Sequence, residues 1–135
     1  MDVKPGKILV VEDDPVAQEV VVFALSSAGF DVATASKAVD ALVLARRERF
    51  DLVITDYYLP DYLGTDFVRL LRDCDEYRAV PAILLTARAE ELNGGRLHDG
   101  LYLLVLPKTC TPEELLTAVS KRLAKVQGSS SPIPS

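Results

Sequence analysis

The sequence predicts an α/β fold, a doubly wound, five-stranded parallel sheet with helices on both faces. Three observations carry that prediction. Short apolar runs alternate with amphipathic segments five times along the chain. Most of these runs are continuously apolar rather than alternating, as strands buried on both faces are. Strand-helix alternation with right-handed crossovers brings each strand back parallel to the last.

Each element follows in order. Ile8 to Val11 is an aliphatic run that ends in acids, Glu12-Asp13-Asp14, and reads as a buried first strand. Asp14 is placed to cap a first helix, with Pro15 in its first turn. Val16, Val20, Phe23, Ala24 and Ala28 recur at helical spacing, and Gly29 ends that helix. Asp31 to Ala35 alternates polar and apolar, as an edge strand does. Ser36 is the expected cap of a second helix, with Val39, Leu42, Val43 and Arg46 as its face. Leu52 to Thr55 is a third strand, and Asp56 follows it directly. Tyr57 to Gly64 is a loop punctuated by Pro60 and Gly64. A third helix carries Phe67, Val68, Leu70 and Leu71. Ala82 to Thr86 is a fourth strand and Tyr102 to Leu106 a fifth. Between them, residues 88–100 predict a short or broken helix, because Asn93-Gly94-Gly95 sits inside it and each glycine costs about 1 kcal/mol relative to Ala. Thr111-Pro112-Glu113-Glu114 is a capping box that opens a final helix, with Leu115, Leu116, Val119, Leu123 and Val126 on its apolar face. The domain is expected over residues 7–126, and residues 127–135, rich in Ser and Pro, as a disordered tail or linker.

Composition bounds the function. The chain has 135 residues and a net charge of −5, which suits one acidic domain and argues against a nucleic-acid-binding surface. Two cysteines, Cys74 and Cys110, imply no disulfide framework and fit a reducing, cytoplasmic compartment. Cys110 reads as a small packed residue. No apolar stretch approaches the ~20 residues of a spanning helix, so no membrane is expected. The single histidine, His98, rules out a multi-histidine metal cage and reads as an exposed polar residue.

In an open parallel sheet, ligands bind at the carboxyl ends of the strands. The chain brings Glu12, Asp13 and Asp14 there from strand one, Asp56 from strand three, Thr86 from strand four and Lys108 after strand five. Converging carboxylates repel one another and are costly to desolvate. A hard divalent cation with oxygen ligands offsets that cost, and Mg²⁺ tolerates a few carboxylates plus waters. A carboxylate can also attack a phosphoryl group and carry it covalently. Mg²⁺, the Lys108 ammonium and the Thr86 hydroxyl would then surround the three oxygens of an aspartyl phosphate. Nothing here supplies the base that acyl-transfer chemistry needs.

Five strings in order carry a more specific likeness: Ile8-Leu9-Val10-Val11-Glu12-Asp13-Asp14; Asp51 to Pro60 with Gly64; Ile83 to Ala87; the 22-residue step from Thr86 to Lys108; and Lys108 four residues before Pro112-Glu113-Glu114-Leu115. With these, residues 7 to about 126 resemble the receiver domains of two-component response regulators, of the chemotaxis-regulator type. The resemblance implies a flavodoxin-like strand order 2-1-3-4-5. It implies that Asp56 is the phospho-acceptor and that Glu12 and Asp13 are the acidic pair. Asp13 would be the more direct Mg²⁺ ligand, with Glu12 acting directly or through water. The backbone carbonyl of Tyr58 would complete the protein's ligands, Thr86 would be the switch hydroxyl, and Lys108 would pair with the phosphoryl group. The implied donor is a phosphohistidine on a sensor histidine kinase or phosphotransfer protein, with an unidentified downstream protein partner. A phosphorylation-linked homodimer is compatible with the likeness. The expected role is regulatory, with no enzyme activity beyond self-phosphotransfer and autodephosphorylation.

Three positions depart from the family pattern. Thr109 follows the lysine where the family has proline, and Pro107 precedes it. Val105 stands where the family has an aromatic switch residue. Asn93-Gly94-Gly95 weakens a helix that many members use for partners. These departures motivate an alternative, a pseudo-receiver that binds partners without phosphate. An Mg²⁺-dependent phosphohydrolase is disfavoured, because those enzymes carry a second Asp two residues after the nucleophile and this chain has Tyr58. Tyr58 and Arg88 occupy positions that tune attacking water in the family, and their bulk is expected to slow phosphoryl loss. The chain is expected to be either a stand-alone receiver or the receiver part of a longer protein.

Overall fold

The computed structural model describes residues 6–87 and 103–129. The elements in chain order are β1 (Lys7–Val11), α1 (Pro15–Ser27), β2 (Asp31–Ala35), α2 (Ala38–Arg47), β3 (Leu52–Thr55), α3 (Gly64–Arg72), a 3₁₀ turn (Asp75–Tyr77), β4 (Ala82–Thr86) and β5 (Leu103–Pro107), then α4 (Pro112–Ser129). The five strands form one parallel sheet in the order β2-β1-β3-β4-β5. The doubly wound reading and the strand order both hold.

Side chains alternate across the sheet and build two cores. Leu9, Val11 and Val53 face α2 and α3, where Phe50, Phe67, Val68 and Leu71 complete one cluster. Ile8, Val10, Ile54, Ile83 and Leu85 face α1 and α4, meeting Leu25, Leu115, Val119 and Leu123. The residues of β3 and β4 are buried on both faces, and β2, at the sheet's edge, is partly exposed. The continuously apolar β3 and β4 thus mark the centre of the sheet and the alternating β2 one of its edges, while the apolar β5 forms the other edge.

The local caps read from sequence are present. The Asp14 carboxylate accepts the Ala17 N–H, with Pro15 at the first helical position. Gly29, at φ +96°, closes α1, while Gly29 N–H donates to Ser26 O and Phe30 N–H to Leu25 O. That pair of bonds is the Schellman arrangement, and its left-handed residue favours glycine. At α4, Thr111 Oγ1 accepts the Glu114 N–H while Glu114 Oε1 accepts the Thr111 N–H.

The helix faces need correction. On α1 the buried residues are Val21, Ala24 and Leu25, while Val16, Val20 and Phe23 are 68%, 59% and 74% exposed. The helix carries two apolar stripes about one residue apart in register, so spacing alone selects neither. On α2 the buried face is Ala38, Ala41 and Ala45, with Val39, Val43 and Arg46 exposed and Leu42 half-buried. Small residues let α2 approach the sheet while Phe50 and Phe67 fill the volume. Leu70 on α3 is also exposed. Ser36 does not cap α2: Lys37 stands at the N-cap without a side-chain bond. The acceptor is instead Asp61, whose carboxylate takes the Ala38 N–H at 2.9 Å and the Val39 N–H at 3.0 Å.

The fifth strand runs to Pro107, one residue past the expected end, with its expected first residue Tyr102 outside the described residues, and α4 continues to Ser129, past the boundary expected at 126. The helix expected over 88–100, with Arg88, Asn93-Gly94-Gly95 and His98, lies outside the described residues, as do residues 130–135. Among the described residues, no helix is long and apolar enough to cross a membrane.

Candidate functional site

β1 and β3 are neighbours in register, Val11 opposite Thr55, so the residues that follow them share one end of the sheet. Carboxylate oxygens of Glu12, Asp13 and Asp56 lie within 4.8 Å of one another. β5 supplies the counter-charge: Lys108 Nζ sits 2.9 Å from Glu12 Oε1 and 3.2 Å from Asp56 Oδ2.

Each member is held. Glu12 is 4% exposed. Its Oε2 accepts the Asp14 N–H at 3.0 Å, its carbonyl accepts from Gln18 Nε2 at 2.9 Å, and its N–H donates to Ala35 O. Burial pushes its carboxyl above the usual value, and the bonds from Lys108 and Asp14 oppose that push without cancelling it. The Asp56 side chain is 11% exposed, and its Oδ1 accepts the Tyr57 N–H at 2.7 Å. Burial works against the Lys108 ammonium, but its bonds to Glu12 and Asp56 outweigh burial and raise its pKa, so the side chain stays charged. Asp13 is exposed at the rim, which suits a group that meets an incoming ion.

Thr86 is buried at the end of β4, in register with Pro107, and its carbonyl accepts the Lys108 N–H at 2.9 Å. The fourth and fifth strands thus deliver Thr86 and Lys108 together. Tyr58 stands two residues beyond Asp56. It pairs with Leu63 in an antiparallel bridge, and its half-exposed ring meets Tyr57 edge-on at 4.7 Å between centroids. Val105, at the aromatic-switch position, is half-buried opposite Leu84. Cys110 is partly buried against the α1–α4 core, as a packed residue.

Sequence reasoning missed two contributors and under-read a third. Gln18, one turn into α1, fixes the carbonyl of Glu12. Asp61 lay unremarked within the Tyr57–Gly64 loop, yet its carboxylate reaches α2. Gly64 read as loop punctuation, but a Cβ there would lie 2.1 Å from the Asp56 carbonyl oxygen, and its N–H donates to Tyr57 O. Only glycine lets the start of α3 pass so close to the Asp56 backbone. The Pro60 and Gly64 spacing held the signal, but the contact is visible only in three dimensions.

Among the described residues, three carboxylates against one ammonium leave two negative charges uncompensated when all are ionised. The donors are hard oxygens at the mouth of a crevice, the set that Mg²⁺ or Ca²⁺ prefers over softer metals.

Comparison with known proteins agrees with this geometry. Residues 8–120 match the family model of the response regulator receiver domain. The chain is 36% identical over 126 residues to the DNA-binding response regulator MtrA of Mycolicibacterium smegmatis, covering 93% of this chain and 54% of that protein. It is 30% identical over 96 residues to the polar-differentiation response regulator DivK of Brucella anthropi, covering 71% of this chain and 78% of DivK. It spans 36% of the probable transcriptional regulatory protein TcrX of Mycobacterium tuberculosis, at 41% identity over 87 residues. The chain thus spans about half or less of the mycobacterial relatives it matches. Among solved structures, the receiver domain of the sensor histidine kinase PA1611 from Pseudomonas aeruginosa, with magnesium coordinated in its active-site cleft, superposes with a TM-score of 0.80. The identity is 31%, over 89% of this chain and 98% of that one. The chemotaxis protein CheY4 of Vibrio cholerae gives a TM-score of 0.80 at 28% identity, over 87% and 98%. By family match, relatives and fold, the chain belongs to the receiver-domain family of two-component response regulators.

Proposed function

We propose that this receiver domain accepts a phosphoryl group on Asp56, with Mg²⁺ held by Glu12, Asp13, Asp56 and the Tyr58 carbonyl, and relays the event to a partner protein. The observation that carries the reading is the buried Glu12–Lys108–Asp56 array beside Asp13, where three carboxylates meet one ammonium among the described residues. Its oxygen-only donor set fits Mg²⁺. When bound, that ion would neutralise charge as the phosphoryl group arrives.

The chain's own residues do the rest. An Asp56 carboxylate oxygen attacks phosphorus. The P–N bond of the donor's phosphohistidine breaks, and its electron pair returns to the imidazole nitrogen. The product is an aspartyl phosphate; the imidazole, protonated on its other nitrogen, leaves neutral, and the charge beside Lys108 is now that of the arriving phosphoryl oxygens. Lys108, already 3.2 Å from Oδ2, is positioned to follow that charge. Thr86, delivered by the same β4–β5 pair, supplies a hydroxyl to a phosphoryl oxygen. The bulk of Tyr58, two residues beyond Asp56 with its ring edge-on to Tyr57, would slow the water that cleaves the acyl phosphate.

The donor is a sensor histidine kinase or a phosphotransfer protein, and the effector is a protein partner or a second copy. The unpaired thiols of Cys74 and Cys110 support a reducing, cytoplasmic setting. With Val105 at the aromatic position, the output would travel by backbone and loop shifts around Thr86 rather than by ring rotation.

Intact-mass spectrometry after incubation with acetyl phosphate is the test. One added phosphoryl group that requires Mg²⁺ and disappears in Asp56→Asn is the expected result. No adduct in a protein that binds Mg²⁺ and beryllofluoride would reduce the reading to a short-lived phosphate. No adduct and no beryllofluoride complex would replace it with a phosphate-independent binding module.

A further inference from the structure

The loop after Asp56 is a miniature hairpin. Tyr58 and Leu63 form an antiparallel bridge at its base, and the Leu59 N–H donates to Tyr62 O at 3.1 Å. Pro60 and Asp61 make the tip. The tip does not end in solvent contact alone. Both carboxylate oxygens of Asp61 accept from the first N–H groups of α2, Ala38 at 2.9 Å and Val39 at 3.0 Å. Those donors have no intrahelical acceptor, and Lys37 at the N-cap offers none. The other end of the hairpin is equally fixed, because Gly64 N–H bonds Tyr57 O and Gly64 packs on the Asp56 carbonyl.

We infer that Asp61 is a positioning residue for the ion and phosphoryl site, a strut that pins the hairpin tip to α2 and so holds the Tyr58 backbone beside the acid cluster. This rests on the reading of Tyr58 as an oxygen ligand. A carboxylate 23 residues from its helix is an unusual way to cap it, since local Ser, Thr, Asn or Asp serves most helices. What the remote cap adds is a rigid link between a loop and a packed helix whose inner face, Ala38, Ala41 and Ala45, is fully in the core. Ligand carbonyls on unsupported loops lose preorganisation, and outer partners of metal ligands commonly change affinity about 10- to 100-fold. The effect here acts through one step of backbone, so a loss of about three- to tenfold is expected.

The experiment compares the intact chain with Asp61→Ala, Asp61→Asn and Arg46→Gly. The last is an exposed substitution at the far end of α2 that weakens the helix without touching the loop. Amide hydrogen exchange in metal-free protein comes first. Asp61→Ala should speed exchange at Ala38, Val39 and also Leu59, inside the hairpin, whereas a mere helix cap would release Ala38 and Val39 alone. Mg²⁺ titration by calorimetry follows. Asp61→Ala should raise the Kd about three- to tenfold, Asp61→Asn, which keeps one acceptor oxygen, should fall between it and the parent, and Arg46→Gly should leave it unchanged. Unaltered exchange at Leu59, or equal Mg²⁺ affinity in Asp61→Ala and the parent, would overturn the inference. A parent that binds no Mg²⁺ would instead remove the proposed function, while the Leu59 result would still decide whether Asp61 braces the hairpin.

Discussion

The two ends of the sheet solve opposite problems. At the amino end, Tyr77 ties the fold shut. Its hydroxyl accepts from the Phe50 N–H at 3.2 Å and faces the carbonyls of Ala45 and Glu48, each at 2.9 Å. Lys7 pairs with Glu48, and its N–H bonds Asp51. Every acid named there has a partner. At the carboxyl end, Glu12, Asp13 and Asp56 share one lysine among the described residues. The first end is closed and stabilising. The second keeps an excess of negative charge that a cation can neutralise. Function sits where the polar groups leave something unbalanced, and stability where they do not.

The largest effect belongs to Lys108. Lys108→Gln should slow phosphoryl loading from acetyl phosphate about 100-fold, the scale for losing one preorganised group that follows developing charge. A loading rate within twofold of the parent would mean that Lys108 serves only to balance Glu12. Gly64→Ala comes next. A Cβ 2.1 Å from the Asp56 carbonyl must displace Asp56 or the start of α3. Denaturant unfolding should report a loss of about 1–3 kcal/mol or more, together with impaired loading.

Tyr77→Phe tests the other end. It orphans the buried Phe50 N–H, which should cost about 1–3 kcal/mol, while Mg²⁺ affinity stays that of the parent. Mg²⁺ at a hundred times its Kd should stabilise both proteins by the same ~2.7 kcal/mol. Unequal increments would show that the two ends are coupled. The smallest effect is a pH dependence. Burial raises the Tyr77 phenol above its ordinary 10.0, although the Phe50 N–H bond opposes this. Its contribution to stability is therefore complete below pH 10, where both states are neutral. It falls as pH climbs from there through the raised folded value, because the unfolded chain ionises first. The difference between parent and Tyr77→Phe should shrink over that window.

The comparison also explains what the sequence revealed. Glu12, Asp13, Asp56, Thr86 and Lys108 were legible because each follows the end of an apolar run, and parallel strands bring those ends together. Asp14, Gly29 and the Thr111–Glu114 box were legible because a cap acts within a few residues. Tyr77 carried no signal, since its three partners lie 27 to 32 residues away. The bond from Asp61 to α2 spans a similar gap and was hidden for the same reason. The faces of α1 and α2 were misread because apolar residues surround both helices. On α2, close packing selected Ala38, Ala41 and Ala45 over the larger valines.

Locating the phosphoryl group tests the central claim most directly. The chain is incubated with acetyl phosphate, with and without Mg²⁺, and reduced with borohydride, which converts an aspartyl phosphate to homoserine. It is then mapped by peptide mass spectrometry. Homoserine at position 56 only, and only when Mg²⁺ was present, is the result this account predicts. Homoserine at Asp13 or another acid, or labelling at Asp56 that ignores Mg²⁺, would contradict it.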